Sequence, residues 1–311
     1  MFRSCLFLLF PLATLHAEDA IFAPGAKLKV EAKAGAGGEG PAWHPKLGVL
    51  SSGNGHIMRL DLAGKSTIHR KDAGTNGLLF DAKGRLLACE PVWRRVTRTD
   101  LDGTITVLTK DYKGKRYNQP NDITVDAKGR IYFSDPRYGE RSDMQIRDAD
   151  GKVTMILGRG EVDRPNGVLL SADGKYLYVA DNNNDTDGGA RQLWRFDLKD
   201  GVVNGKSKKL IYDWRKGRGP DGLKQDTAGR LYVAAGVNKS NRFETDEDGK
   251  GGIYVLSPAG KLLAFLAVPT DEVTNCAFGG EDRKTLYITG GGVLYSIRTT
   301  TAGQLVWPPV K

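Results

Sequence analysis

Cysteine is scarce in this chain. Three residues in 311, at positions 5, 89 and 276, exclude a disulfide framework. Cys89 and Cys276 fall in separate repeats and are expected to be buried thiols. Histidine is also sparse, and His44, His56 and His69 are scattered without zinc-site spacing. They read as strand or turn residues. The apolar stretch from Cys5 to Leu15 is too short to span a bilayer and is interrupted by Pro11. No Gly-x-Ser-x-Gly elbow is present, which argues against a serine hydrolase. Gly158-Arg159-Gly160 is not part of a nucleotide fingerprint, so no organic cofactor is inferred. No dense Lys/Arg run with interleaved aromatics occurs, so the net charge of +9 does not suggest nucleic acid as a partner. That charge could still attract anionic sugar acids or hold the protein near an anionic envelope.

Residues 1–17 (MFRSCLFLLFPLATLHA) have the layout of a signal peptide. Arg3 supplies the charge, an apolar stretch follows, and Ala17 is a small residue at the cut. A secreted or periplasmic protein cleaved near Ala17 is expected.

What the chain has in abundance is a repeat. Segments begin at Glu39, Asn76, Asn121, Asn166, Asp221 and Asn275, each with a polar head, an alternating apolar run, a turn and a β-rich run. In the four middle copies the head lies eight positions before a turn glycine: Gly84, Gly129, Gly174 and Gly229. Period-two alternation means strands, and the Asp-x-x-Gly turn supplies a backbone-bonding carboxylate and a residue that accepts positive φ. The first turn (His44-Pro45-Lys46) and the last (Glu281 to Lys284) are degenerate, as terminal repeats often are. A second hairpin in most repeats suggests four strands each. The expected architecture is all-β: one six-bladed β-propeller of four-stranded antiparallel blades over residues 36–300, around a central metal-containing channel. Residues 18–35 form an N-terminal segment whose stretch 26–34 supplies a closing strand. Residues 301–311 are a C-terminal tail. Stretches 181–189 and 238–252 read as surface loops.

A fixed register puts all six heads at equivalent points of their blades. Glu39, Asn121, Asn166 and Asp221 would converge on the channel, two carboxylates balancing a divalent charge and two amides adding neutral oxygens. Such a set suits a hard cation, Ca²⁺ first, with Mg²⁺, Mn²⁺ or Zn²⁺ as alternatives. Asn76 and Asn275 share the register and are expected to line the channel. Each head taken alone could instead be an ordinary turn residue; the common register and the Glu at position 39 are what favour a site. Asn183 to Gly188 and Glu244 to Gly249 imitate the start of an EF-hand loop. Trp194 and Val255 stand where its bidentate Glu would be, so both read as solvated loops.

The chain resembles the family of gluconolactonase, senescence marker protein (regucalcin) and luciferin-regenerating enzyme. The resemblance is carried by Glu39-Gly40-Pro41-Ala42-Trp43, Arg94 to Asp100, Asn118-Gln119-Pro120-Asn121-Asp122, Phe133 to Gly139, Arg164-Pro165-Asn166-Gly167, Pro220-Asp221-Gly222-Leu223 and Thr274 to Gly280. It covers nearly all of residues 36–300. It implies a six-bladed propeller with one catalytic divalent cation, held by Glu39, Asn166 and Asp221, with Asn121 a fourth ligand or a substrate contact. The implied reaction is hydrolysis of a sugar-acid lactone, with Asp221 as general base or as the residue that positions water. Asn118, Gln119, Asn121, Arg95 and Tyr138 are the substrate-binding candidates, with Arg94, Arg137 and Trp93 nearby in sequence. Pro91-Val92-Trp93 and Gln119 depart from the pattern of bacterial relatives, which leaves the identity of the sugar open. The alternatives are hydrolysis of another ester or an organophosphate at the same cation, or a non-catalytic propeller that binds sugars or proteins. The expected partner is a small sugar lactone, with no membrane span and a monomeric or weakly dimeric state.

Overall fold

The computed structural model describes residues 20–136, 143–147, 151–158 and 160–306, the stretch 143–147 by its backbone alone. The signal-peptide reading at 1–17 and the side chains of Arg137 and Tyr138 lie outside the described residues. Among the described residues there are six four-stranded antiparallel sheets, one two-stranded hairpin and no helix.

The blades follow the sequence repeat. Their first strands are Glu39–His44, Leu78–Phe80, Ile123–Val125, Pro165–Leu170, Leu223–Gln225 and Val273–Gly279. These strands contact one another in succession around a ring, so they are the innermost of each blade. The ring closes through Lys29–Gly37, which pairs antiparallel with Gly292–Arg298 as the outermost strand of the sixth sheet. A strand from the beginning of the chain thus completes the last blade and leaves the ring no open seam.

The turn grammar is realised in detail. Asp81, Asp126 and Asp226 each accept two backbone N–H bonds through Oδ1, and each pairs through Oδ2 with the arginine after the turn glycine. The degenerate first turn works by the same device with a different group. His44 Nδ1 accepts the N–H of Lys46 at 3.0 Å and of Leu47 at 3.2 Å, so the imidazole takes the place of the carboxylate. Burial first, and then nearby Lys46 and Arg59, push its pKa down, which keeps Nδ1 an acceptor.

Six apolar clusters fill the six interfaces between successive blades. That between the fifth and sixth is typical: Tyr232, Ala234 and Ile253 pack on Cys276, Phe278 and Leu286. Each blade is covered on both faces, which is why the inner strands are buried throughout rather than alternately. Cys89 and Cys276 are free and buried, each donating its thiol to a backbone carbonyl. Residues 302–306 run beneath the fifth blade, where Gln304 N–H donates to Gln225 O at 2.8 Å. Gln304, Leu305 and Val306, with Trp43, Phe80, Val125 and Phe278, bound a cavity of about 450 Å³ at the end of the channel remote from the heads.

Candidate functional site

Every head residue lies at the start of an innermost strand, and the six innermost strands run the same way. All six heads therefore stand at one end of the channel. Hydrogen bonds join most neighbouring heads. Gly77 N–H donates to Asn121 O at 2.7 Å, Ser134 Oγ to Asn166 O at 2.6 Å, and Gly222 N–H to Thr274 O at 2.7 Å. Asn275 Nδ2 reaches Glu39 Oε2 at 3.5 Å, and Thr274 Oγ1 donates to Gly38 O at 2.8 Å, which links the last segment to the first.

The glycine after the head belongs to this ring. Asn-Gly and Asp-Gly look like turn pairs in the sequence, but Gly77, Gly167 and Gly222 do not have positive φ. They are glycines because the next blade is too close. A β-carbon on Gly167 would lie 2.1 Å from Asp221 O, and one on Gly77 would lie 2.6 Å from Asn121 O. The head register is thus fixed by packing between blades, not by a turn within one.

The ring holds more oxygen than the protein uses. Oδ1 of Asn76, Asn121, Asn166 and Asp221 are all buried without a hydrogen-bond partner. A buried polar atom without a partner is costly, and four of them at one end of a channel call for a ligand that satisfies several at once. The two carboxylates carry the same message. The Glu39 pKa is raised well above its ordinary value by burial and then by Asp221. Burial likewise raises Asp221, to about 7, against the opposing pull of Arg218 and with further push from Glu272 and Asp122. Oxygen-only donors, two of them carboxylates that resist ionisation without a counter-charge, fit a hard divalent cation. Glu39, Asn121, Asn166 and Asp221 are the residues that could hold one.

A polar network surrounds these residues. Arg218, itself buried, places Nη2 at 2.7 Å from Asp221 Oδ2 and 3.1 Å from Glu272 Oε2, with Nη1 at 4.0 Å from Glu244 Oε1. Burial opposes its charge, but Asp221, Glu272, Glu244 and Glu39 together hold the guanidinium firmly protonated. Asp122 is buried beside the head Asn121 and accepts the N–H of Val168 at 3.3 Å. Burial raises its pKa as well, while Lys224 opposes the rise.

The sequence motifs that flank the heads prove to be loop anchors. Asp135, at the end of the second strand of the third blade, accepts the N–H of Asn118 at 2.9 Å and of Gln119 at 2.8 Å. Asp181 does the same in the fourth blade for Asp163 and Arg164. The expected substrate contacts are spread around these anchors. Asn118 also donates through Nδ2 to Asp135 O, and the Gln119 side chain is exposed. Arg95 is bound to the fully buried Glu90 at 2.5 Å, a carboxylate it shares with Arg70 and Thr97. Arg94 donates to the carbonyls of Tyr117 and Arg116, tying its loop to the hairpin Asp111–Arg116. Trp93 is half exposed and donates weakly to Asp72 O.

The two stretches read as surface loops require correction. Asp181 and Asn182 belong to the strand Tyr176–Asn182, and Asn183 is buried with Nδ2 bound to Asp163. Glu244 is also buried, turned toward Arg218, so this loop sends a charge into the interior rather than out to solvent. Arg218 and Glu272 were not singled out from the sequence, and Asp122 and Glu244 were named there without a role in the site. A signal existed for two of them. Arg218 and Glu272 each stand three positions before a head, as Asn118 and Asp163 do, whereas the first two repeats carry Ala36 and Ala73 there.

Comparison with known proteins bears on the family and the fold. The sequence model described as "SMP-30/Gluconolactonase/LRE-like region" matches residues 37–292. A gluconolactonase of Zymomonas mobilis is 28% identical over 84% of this chain and 72% of its own length. A pentonolactonase of Haloferax volcanii is 29% identical over 82% of this chain and 81% of its own. Among solved structures, a gluconolactonase of Xanthomonas campestris superposes with a TM-score of 0.76 at 27% identity, covering 91% of this chain and 93% of that one.

Proposed function

The chain belongs to the SMP-30/gluconolactonase/LRE-like family, and on that premise we propose that it is a metal-dependent hydrolase that opens a sugar-acid lactone. The observation that carries the proposal is the set of four buried, unpartnered Oδ1 atoms of Asn76, Asn121, Asn166 and Asp221, next to a Glu39 whose burial disfavours its charge. Glu39, Asn121, Asn166 and Asp221 would hold the cation, Ca²⁺ first and Mg²⁺, Mn²⁺ or Zn²⁺ as alternatives. When bound, the cation would supply Lewis-acid polarisation of the lactone carbonyl and balance charge that develops on its oxygen.

The reaction is the addition of water across an ester. The water oxygen bonds to the carbonyl carbon, the ring C–O bond breaks, and the proton lost by the water ends on the former ring oxygen as a hydroxyl. Asp221 would handle that water. Its Oδ2 is bound by Arg218, which leaves the buried Oδ1 unpartnered and available to the ion and the water beside it. As an ion ligand Asp221 is a weak base, and its chief contribution is orientation. Lactones are reactive esters, so orientation and carbonyl polarisation suffice. The exposed Gln119 and the anchored Asn118 lie on the loop that leads into Asn121 and would contact substrate hydroxyls, with Asn121, Arg95 and Tyr138 as further candidates. The layout of residues 1–17 supports secretion or a periplasmic location.

The test is lactone hydrolysis by the mature protein after chelation, with single cations added back and proton release followed on a panel of aldonolactones. Restoration by one cation in wild type but not in Glu39→Gln is the expected result. Stoichiometric cation binding with no hydrolysis of any lactone would instead favour another ester or a binding role.

A further inference from the structure

A buried arginine stands beside the candidate cation ligands. Arg218 is buried and lies within 3.1 Å of both Asp221 and Glu272. Five carboxylates meet around this end of the channel: Glu39, Asp122, Asp221, Glu244 and Glu272. Three side-chain cations, Arg218, Lys224 and, beside Glu244, Arg191, oppose them. The formal charge is therefore two negative, which one divalent ion balances.

The contacts of Arg218 are asymmetric in a way that matters. Its Nη2 takes Oδ2 of Asp221 and leaves Oδ1 without a partner, while Nε and Nη1 have no hydrogen bond among the described residues. A carboxylate with one oxygen pinned by a guanidinium can offer a cation only the other.

Resting on the functional reading above, we infer that Arg218 is a positioning residue of the hydrolase that restricts Asp221 to one-oxygen ligation and, by its fixed charge, holds cation affinity below what the oxygen set alone would give. Loose binding by one oxygen keeps Asp221 oriented toward the attacking water instead of wrapped around the ion. Glu272, about half exposed, and buried Glu244 hold the guanidinium from its other sides. The −3 position relative to the head thus acquires a function in the fifth and sixth repeats that its alanines in the first two do not have.

Charge and geometry can be separated with two variants. Arg218→Met removes both, and Arg218→Lys keeps the charge but loses the fork that grips Asp221. The full chain is chelated, Ca²⁺ is titrated calorimetrically, and kcat and KM are measured on a lactone that wild type opens. For Arg218→Met we expect Ca²⁺ binding tighter by about tenfold or more, because a neighbouring positive charge is lost and Asp221 can offer both oxygens. Its kcat should fall about tenfold or more, with KM changed less than about threefold. Arg218→Lys should return affinity to within about threefold of wild type while kcat recovers only in part. Affinity and kcat both unchanged in Arg218→Met, or affinity weakened, would overturn the inference. If Arg218→Met does not fold, as judged by circular dichroism, Glu272→Gln and Arg218→Lys decide. Glu272→Gln leaves the guanidinium less neutralised and should weaken Ca²⁺ binding several-fold; unchanged or tighter binding overturns the inference. Failure of wild type to bind any divalent cation or open any lactone would overturn the functional reading itself, a result visible before any variant is made.

Discussion

Asn275 and Glu39 are 236 residues apart in sequence, yet their side chains meet at 3.5 Å where the last segment of the ring adjoins the first. Asn275 also accepts the Cys276 N–H through Oδ1 at 2.9 Å. The amide is held at one end by its own strand and steadies a carboxylate at the other. Asn275→Ala should lose about 1–2 kcal/mol of stability from two broken hydrogen bonds at a buried position. It should also weaken divalent-cation binding several-fold by freeing Glu39. Thermal melting with and without chelator separates the two effects: the deficit should be larger when the cation is present.

The raised carboxylates make the metal-free protein respond to pH in an unusual direction. Asp221 has its folded pKa near 7 against an ordinary value of 3.8, and Glu39 is shifted the same way. Below about pH 4 both folded and unfolded chains hold these protons, and no stability is lost. Above about pH 4 the unfolded chain releases protons that the folded chain retains, so stability falls as pH rises, and above about 7 the part of the loss due to Asp221 is complete. In chelator the melting temperature should therefore be lower at pH 8 than at pH 5.5, reflecting a loss of stability on the order of a few kcal/mol at most. Saturating cation should abolish the fall, since the site then favours the ionised forms. Asp221→Asn should flatten most of the pH dependence in chelator; a profile unchanged by that substitution would assign it to other groups.

Two kinds of glycine stand eight residues or less apart and should behave differently. Gly174 sits at a turn with φ of +68° and open space around its missing side chain. Alanine there costs about 1 kcal/mol, the price of a left-handed backbone. Gly167 has no such conformation, but a methyl group would meet Asp221 O at 2.1 Å. Gly167→Ala must push the fourth and fifth blades apart at their heads. A loss of about 3 kcal/mol or more is expected in chemical denaturation, with cation binding reduced in whatever protein remains folded.

These contrasts show what the sequence could convey. The turns were legible because Asp81, Asp126 and Asp226 work through groups within four residues, a distance that leaves a repeating spacing. The heads were legible because six copies share one register. His44 was legible only as a degenerate turn, since an imidazole acceptor does not look like an aspartate. Arg218 was hidden for a physical reason. Its meaning depends on Glu244 and Glu272, which come from a long loop and from another blade, and nothing in the spacing says that Glu244 points inward. The glycines after the heads were visible but misleading, because a close approach between blades and a tight turn select the same residue.

Asp135 provides a final test of how the scaffold controls the site. Its two carboxylate oxygens accept the N–H groups of Asn118 and Gln119, the residues that lead into Asn121. The carboxylate is buried, so no water replaces it easily. Asp135→Ala removes both acceptors and should loosen the loop while leaving Glu39, Asn166 and Asp221, which are held by other blades, in place. The expected kinetic signature is a rise in KM of about tenfold with kcat changed less than about threefold, because binding contacts are lost while the water-handling residue is untouched. Asp135→Asn keeps one good acceptor and should recover part of the loss. Steady-state kinetics on a cation-saturated enzyme reads the outcome. A fall in kcat at constant KM would instead place the 118–121 loop in the chemical step, and with it Asn121 as a residue that acts on the reacting carbonyl.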